Sequence, residues 1–245
     1  MGGLPTRRAR TGVERERNRV RALRRALLRW GETRGRRFFW RNEGMSPFAI
    51  LVVEILLTKT RAEIVAPVAP LLLSRFPTPS ALAGAKRQSL ERILYPLGLH
   101  RKRARQLIAC ADALVREHAG EVPTVPTSID AMLELPAVGR YAANAVASVA
   151  FGQRRSVIDA NIARIYGRVF SLRPPPPRLS SAHDLWGLAT QLLPRKRSKE
   201  FTWAVLDLGG TVCAARNPCC ASCPLSRLCD YGATHAARVR RKAVA

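Results

Sequence analysis

Three groups of residues in this chain of 245 could do chemistry: four clustered cysteines, one glutamate in an apolar run, and a glycine hairpin followed by an aspartate. Cys213, Cys220, Cys223 and Cys229 follow the spacing Cys-x6-Cys-x2-Cys-x5-Cys. Four thiolates that close can hold a zinc ion tetrahedrally or a [4Fe–4S] cluster, and ligand chemistry alone leaves both open. Cys219 falls outside the spacing, and Cys110 reads as a core thiol. Glu54 interrupts Leu51-Val-Val-Glu-Ile-Leu-Leu57. A carboxylate buried there without a partner costs several kcal/mol or takes up a proton. It either reaches water at a rim or forms part of a pocket wall.

The hairpin is Leu135-Pro-Ala-Val-Gly-Arg-Tyr141. Residues 128–134 suit a short helix that Pro136 stops, and Gly139 is expected to permit a turn that a side chain would obstruct. Tyr141 to Phe151, small and apolar, suits a closely packed helix. The N–H groups where such a helix opens offer a phosphate site; an ordinary helical corner is the alternative. Asp159 stands where another helix should begin, and aspartate is a good N-cap.

The elements around these residues read as helices. Residues 1–12 look like a basic arm. Val20, Leu23, Leu27, Leu28 and Trp30 recur among arginines at helical spacing, and the sequence does not decide what those arginines face. Phe38-Phe39-Trp40-Arg41 leads to a helix starting near Pro47. A further helix over 62–76 carries Pro67 and Pro70, which are expected to kink or divide it. Thr78 or Ser80 caps the next. Arg101, Lys102, Arg103 and Arg105 open a helix to about His118 and are candidate phosphate contacts or a solvated helix start. A proline run at 174–177 is a connector, and helices over 181–192 and 199–208 follow. No stretch alternates as a strand would, so the class is all-α. The net charge of +25 favours a polyanion, most simply nucleic acid. No stretch has the length and apolarity of a membrane span and no secretory signal is evident, so a cytoplasmic protein with no membrane partner is expected.

The hairpin, Val157-Ile-Asp-x-Asn161 after it, and the cysteine spacing together resemble the helix-hairpin-helix DNA glycosylase superfamily, which contains endonuclease III, the mismatch adenine glycosylases and the thymine/uracil mismatch glycosylases. The resemblance covers roughly residues 36–231. It implies two helical lobes flanking a DNA-binding cleft, with the N-terminal helix and the C-terminal segment in one lobe. The divisions expected are a basic arm and helix over 1–35, a body over 36–170 with the helix-hairpin-helix at about 128–151, C-terminal helices and a cluster loop over 171–231, and a basic tail over 232–245.

The resemblance also implies roles. The partner is double-stranded DNA with a mispaired or damaged base, and the four cysteines hold [4Fe–4S]. Asp159 acts at the sugar, and Glu54 lies in the base pocket, as the segment Glu54-Ile-Leu-Leu-x-x-Thr60 does in mismatch glycosylases. Pro136, Val138, Gly139 and Arg140 contact DNA, as do Arg101, Lys102 and Arg103. Bifunctional members carry a lysine at the position of Tyr141. A phenol cannot form their Schiff base, so a monofunctional enzyme without strong lyase activity is expected. Tyrosine there, with Glu54 and a chain ending soon after the cysteines, is most similar to the thymine/uracil mismatch glycosylases. The alternatives are an adenine glycosylase, in which Glu54 protonates the purine, and a non-catalytic damage-binding protein. A monomer suffices.

Overall fold

The computed structural model describes residues 7–117, 122–174 and 178–234. The basic tail from residue 235, the first six residues of the arm and most of the proline run lie outside the described residues. Those described form eleven α-helices and four short 3-10 turns with no strand among them, as the all-α reading expects. They group into two compact units. One runs from Arg37 to Arg155; the other joins the chain up to Arg36 with everything from Ser156. Residues 156–170, assigned from sequence to the body, thus belong with the N-terminal helix, because the helix they enter packs on the C-terminal one.

In the N-terminal segment α1 spans Arg7–Arg34. The arm expected over 1–12 is therefore helical from Arg7, consistent with the helix propensity of arginine and alanine. The middle unit holds α2 (Pro47–Leu57), α3 (Ala62–Arg75), α4 (Pro79–Ala83), α5 (Arg87–Leu94), α6 (His100–Glu117), α7 (Ile129–Glu134) and α8 (Arg140–Val149). Ser46 caps α2, its hydroxyl accepting the Ala49 N–H at 3.1 Å, and Pro47 fills the first turn where its missing N–H costs nothing. Every residue from Phe48 to Leu56 is buried, so α2 is the axis of this unit. Leucines such as Leu51 and Leu56 each contribute about 2 kcal/mol by leaving water. Alanines 142, 143 and 147 of α8 are buried in the same core, and their small side chains let α8 pack closely on α2. Helix α3 continues through Pro67 and Pro70 as one element. Thr78, rather than Ser80, caps α4.

The other unit adds α9 (Ala160–Phe170), α10 (His183–Leu192) and α11 (Ser198–Thr211), with α11 packed against both α1 and α9. Gly209 makes the α9–α11 approach possible: a Cβ there would stand 2.5 Å from that of Asn161. Asp207, 1% exposed, accepts the Arg36 backbone N–H and its Nε, both at 2.8 Å, tying the end of α1 to α11. Two arginines of α1, Arg19 and Arg24, have inward tasks, while Arg15, Arg17, Arg21, Arg25 and Arg29 are exposed. Arg24 donates to the carbonyls of Gln191, Leu192 and Leu193 at the end of α10. Arg19 donates to those of Val169 and Leu228 and pairs with Asp230. These cations neutralise the carbonyl ends of helices, where positive charge is favoured.

Candidate active site and cysteine loop

The hairpin forms between α7 and α8, where Leu135 ends α7 and the Val138 N–H returns to the Leu135 carbonyl at 3.1 Å. Its left-handed residue is Ala137, at φ 66°. Gly139, expected to provide that turn, is instead the extended N-cap of α8 at φ −102°, ψ 177°. A Cβ at Gly139 would meet nothing within 4 Å, so no neighbour among the described residues requires glycine there, and the residue is exposed at the positive end of the α8 dipole. Pro136, Arg140 and Tyr141 are half-buried around it. Val138, expected to contact DNA, has its side chain in the core, which leaves only its main chain for such a contact.

Glu54 sits in the last turns of α2 and is 7% exposed. The rim alternative is thereby removed. Its Oε2 has no hydrogen-bond partner among the described residues. Burial pushes the carboxyl from its ordinary 4.5 up to about 7, against the opposing charge of Arg41. Arg41 is set by the aromatic lead-in: its guanidinium lies 5.2 Å from the centre of the Phe38 ring, which stacks on Trp40 at 4.5 Å. In its protonated form such a carboxyl can both donate and accept.

Asp159 does cap its helix: Oδ1 accepts the Ile162 N–H at 2.7 Å. Its Oδ2 accepts from Asn161 Nδ2 at 2.9 Å. The Asn161 carbonyl oxygen accepts from Arg164 Nη2 at 2.8 Å, which also reaches the Gly209 carbonyl at 2.8 Å, while Arg164 Nε donates to the Cys213 carbonyl at 2.9 Å. A continuous chain of hydrogen bonds thus joins Asp159 to the first of the four cysteines. Burial raises the Asp159 carboxyl, and the Ile162 and Asn161 bonds with the Arg164 charge pull it only part of the way back. The helix start therefore does not keep this carboxyl at its usual acidity. Asn161 entered the sequence reading only as the last residue of the motif after the hairpin, without a role, and Arg164 was not singled out; their i, i+3 spacing on α9 was the available signal.

Of the basic residues after Gly98, Arg101, Lys102 and Arg105 are exposed. Arg103 is not. Its buried guanidinium donates to the carbonyls of Leu56, Thr58 and Gly98 at 3.2, 3.1 and 3.0 Å and to the Thr60 hydroxyl. It is thus removed from the set of phosphate contacts, because the end of α2 and the turn after it occupy its donors.

Cys213, Cys220, Cys223 and Cys229 line one cavity, together with the exposed Cys219 and with Arg168 and Tyr231. Arg168 Nη1 donates to Cys213 Sγ at 3.2 Å and to the Ala214 carbonyl at 2.7 Å, and its guanidinium lies over the Tyr231 ring at 4.8 Å. The Gly232 N–H donates to Cys229 Sγ at 3.4 Å. Among the described residues no three cysteine, histidine, aspartate or glutamate side chains have the arrangement of a metal-ion site. Cys110 is buried on α6, as expected of a core thiol. No helix among the described residues is long and apolar enough to cross a membrane.

Residues 52–190 match the family of HhH-GPD superfamily base excision DNA repair proteins. The thymine-DNA glycosylase of Aeropyrum pernix is 36% identical over 219 residues, covering 88% of this chain and 96% of that protein. The adenine DNA glycosylase of Mycobacterium tuberculosis is 39% identical over 199 residues, covering 81% of this chain and 64% of that protein. A solved thermostable thymine-DNA glycosylase superposes with a TM-score of 0.81 at 29% identity, covering 89% of this chain and 99% of that one. The helix-hairpin-helix resemblance read from the hairpin and Asp159 is therefore borne out, and this chain belongs to the HhH-GPD superfamily of base excision DNA repair proteins.

Proposed function

We propose that the chain is a monofunctional DNA N-glycosylase that hydrolyses the bond between C1′ and the base nitrogen of thymine or uracil opposite guanine. The observation that carries this reading is Glu54. A buried carboxyl with an unpartnered oxygen, held near neutrality, is costly to fold and is the kind of group a binding site retains. Protonated, it presents one donor and one acceptor, which match a carbonyl and the adjacent imide N–H of a pyrimidine.

Excision requires the base to leave the stack. The C1′–N bond then breaks with its electron pair going to the base, and positive charge develops on the sugar. Ionised Asp159 stabilises that charge and takes the proton of the attacking water; the departing base anion takes up a proton from solvent and Asp159 gives its own back to solvent, so that free base and an abasic site result. The Ile162 N–H and Asn161 hold the carboxylate in one orientation for this. Tyr141 supplies no amine, so no imine forms and the strand stays intact. The exposed start of α8 at Gly139, with Arg140, and the exposed Arg101 and Lys102 bind phosphates of the duplex. One copy of the chain is sufficient.

Cys213, Cys220, Cys223 and Cys229 would hold a [4Fe–4S] cluster. Their chemistry supports this, although the side chains do not stand in the arrangement of a metal-ion site: four thiols share one cavity, a guanidinium and a backbone N–H donate to two of the sulfurs, and such donors stabilise sulfur-borne negative charge. Burial and the neighbouring cysteines raise the thiols of Cys220, Cys223 and Cys229, so a cationic centre is what would let them be thiolates together. When bound, the cluster cross-links the loop and does not serve the excision chemistry.

Adenine excision is the second reading, favoured by the same Glu54, which near neutrality can protonate a purine ring nitrogen, and by the 39% identity to an adenine DNA glycosylase. The test of the common mechanism is Asp159→Asn. The amide keeps the cap, so the variant should fold and bind a G·T duplex as the native protein does while releasing no base. Unchanged release would remove Asp159 from the reaction.

A further inference from the structure

We infer that Arg103 is a positioning residue that joins two exposed loop tips, Lys59 and Leu99, into one DNA-gripping element; the inference rests on the DNA reading above. Both tips adopt the left-handed backbone that side chains disfavour, Lys59 at φ 57° and Leu99 at φ 52°. Neither is glycine, and both are exposed, Leu99 to 64%. Strain of this kind persists only where the surroundings impose it.

The buried guanidinium of Arg103 is what imposes it on both. Nη2 takes the Thr58 carbonyl and the Thr60 hydroxyl, the residues on either side of Lys59. Nη1 takes the Leu56 carbonyl at the end of α2. Nε takes the Gly98 carbonyl, immediately before Leu99. The two loops are separated by about forty residues of chain, yet one planar, five-donor group spans them. Around the tips, Arg61, Arg101 and Lys102 are exposed. An exposed leucine flanked by cations matches a duplex opened at one base step, where an apolar side chain replaces lost stacking and cations hold the phosphates.

A lysine at 103 keeps the charge but cannot span both loops. The experiment is a double-mutant cycle of Lys59→Ala and Leu99→Ala, read as affinity for a duplex with a tetrahydrofuran abasic analogue opposite guanine. It is run in the native protein and in Arg103→Lys, with thermal unfolding confirming the fold. Thr60→Val, which cuts one arm of the clamp, is the second background. In the native protein the double variant should bind at least threefold more tightly than the product of the two single losses. In Arg103→Lys that factor should fall to within twofold of one, with an intermediate value in Thr60→Val. Multiplicative losses in the native background, coupling unchanged in both altered backgrounds, or tips whose removal leaves affinity unaltered would each overturn the inference. Base release by the native protein, measured alongside, separates that failure from failure of the glycosylase reading.

Discussion

Asn161 holds Asp159: its Nδ2 donates to Oδ2 of the carboxylate at 2.9 Å, and its own Oδ1 is fixed by Arg164. The orientation of the aspartate is therefore set by a side chain two residues on, and that side chain by a guanidinium bonded to the Cys213 carbonyl. Removing Asn161 leaves a mostly buried carboxyl with one donor fewer, so its ionised form becomes harder to reach. Asn161→Ala should lower base release at pH 6 by about tenfold, with a smaller loss at pH 8, since a hydrogen bond to a charged group is worth about 1.5 kcal/mol or more. Single-turnover rates across pH check this; equal losses at both values would mean that Asn161 acts only on the fold.

Glu54 distinguishes the two substrate readings. Glutamine keeps one donor and one acceptor at the same place but has no proton to transfer. Under the thymine/uracil reading Glu54→Gln should retain excision within about tenfold of native, while Glu54→Ala should lose on the order of a hundredfold. Under the adenine reading both variants should lose activity to similar extent. Single-turnover rates on G·T and A·8-oxoguanine duplexes decide.

The same residue shapes stability. Its folded-state value near 7 lies above its ordinary 4.5, so between those pH values the folded protein keeps a proton that the unfolded chain releases. The contribution of Glu54 to stability is fully present below about pH 4.5 and is lost as pH rises to 7, by about 3 kcal/mol in all. Urea unfolding of the native protein and Glu54→Gln should show a difference that grows in favour of the variant across that window. A constant difference would mean that Glu54 is not the group responsible.

Arg36 and Asp207 make the principal charged tie between α1 and α11. Asp207→Ala leaves the guanidinium without its buried carboxylate and should cost about 3 kcal/mol. Chemical denaturation measures it; a loss under about 1 kcal/mol would mean that the buried apolar face of α1, with Leu23 and Leu27, and the bonds of Arg19 and Arg24 hold the helix without this pair.

The cysteine loop yields a spectroscopic prediction. Protein purified without oxygen should contain iron and acid-labile sulfide in equal amounts. Cys223→Ser should lose both, whereas Cys110→Ser should lose neither. Zinc in place of iron would redirect the reading of the loop.

Much of this was legible in sequence. Pro136, the small apolar run after Tyr141, the cap at Asp159 and the cysteine spacing depend on local rules, and the structure places each in the element expected. What was not legible depends on which side of an element meets which neighbour. Arg101, Lys102 and Arg103 are equivalent as sequence, yet only Arg103 falls where the α2 carbonyls end. The sequence did not decide what the arginines among Val20, Leu23 and Leu27 face; Arg19 and Arg24 donate to the last carbonyls of other helices. Glu54 could have lain at a rim; that α2 is covered on every side is a property of the assembled unit. Gly139 was assigned the strained turn that Ala137 adopts, because composition shows where a turn occurs but not which residue takes the positive φ.

The most direct test of the account is base release from duplexes carrying G·T, G·U, G·A, A·8-oxoguanine or an oxidised pyrimidine, each product divided and treated with or without alkali. The expected result is release of thymine or uracil opposite guanine, with strand breaks only after alkali. Strand cleavage without alkali, through an imine trapped by borohydride, or no release from any of the duplexes, would contradict it.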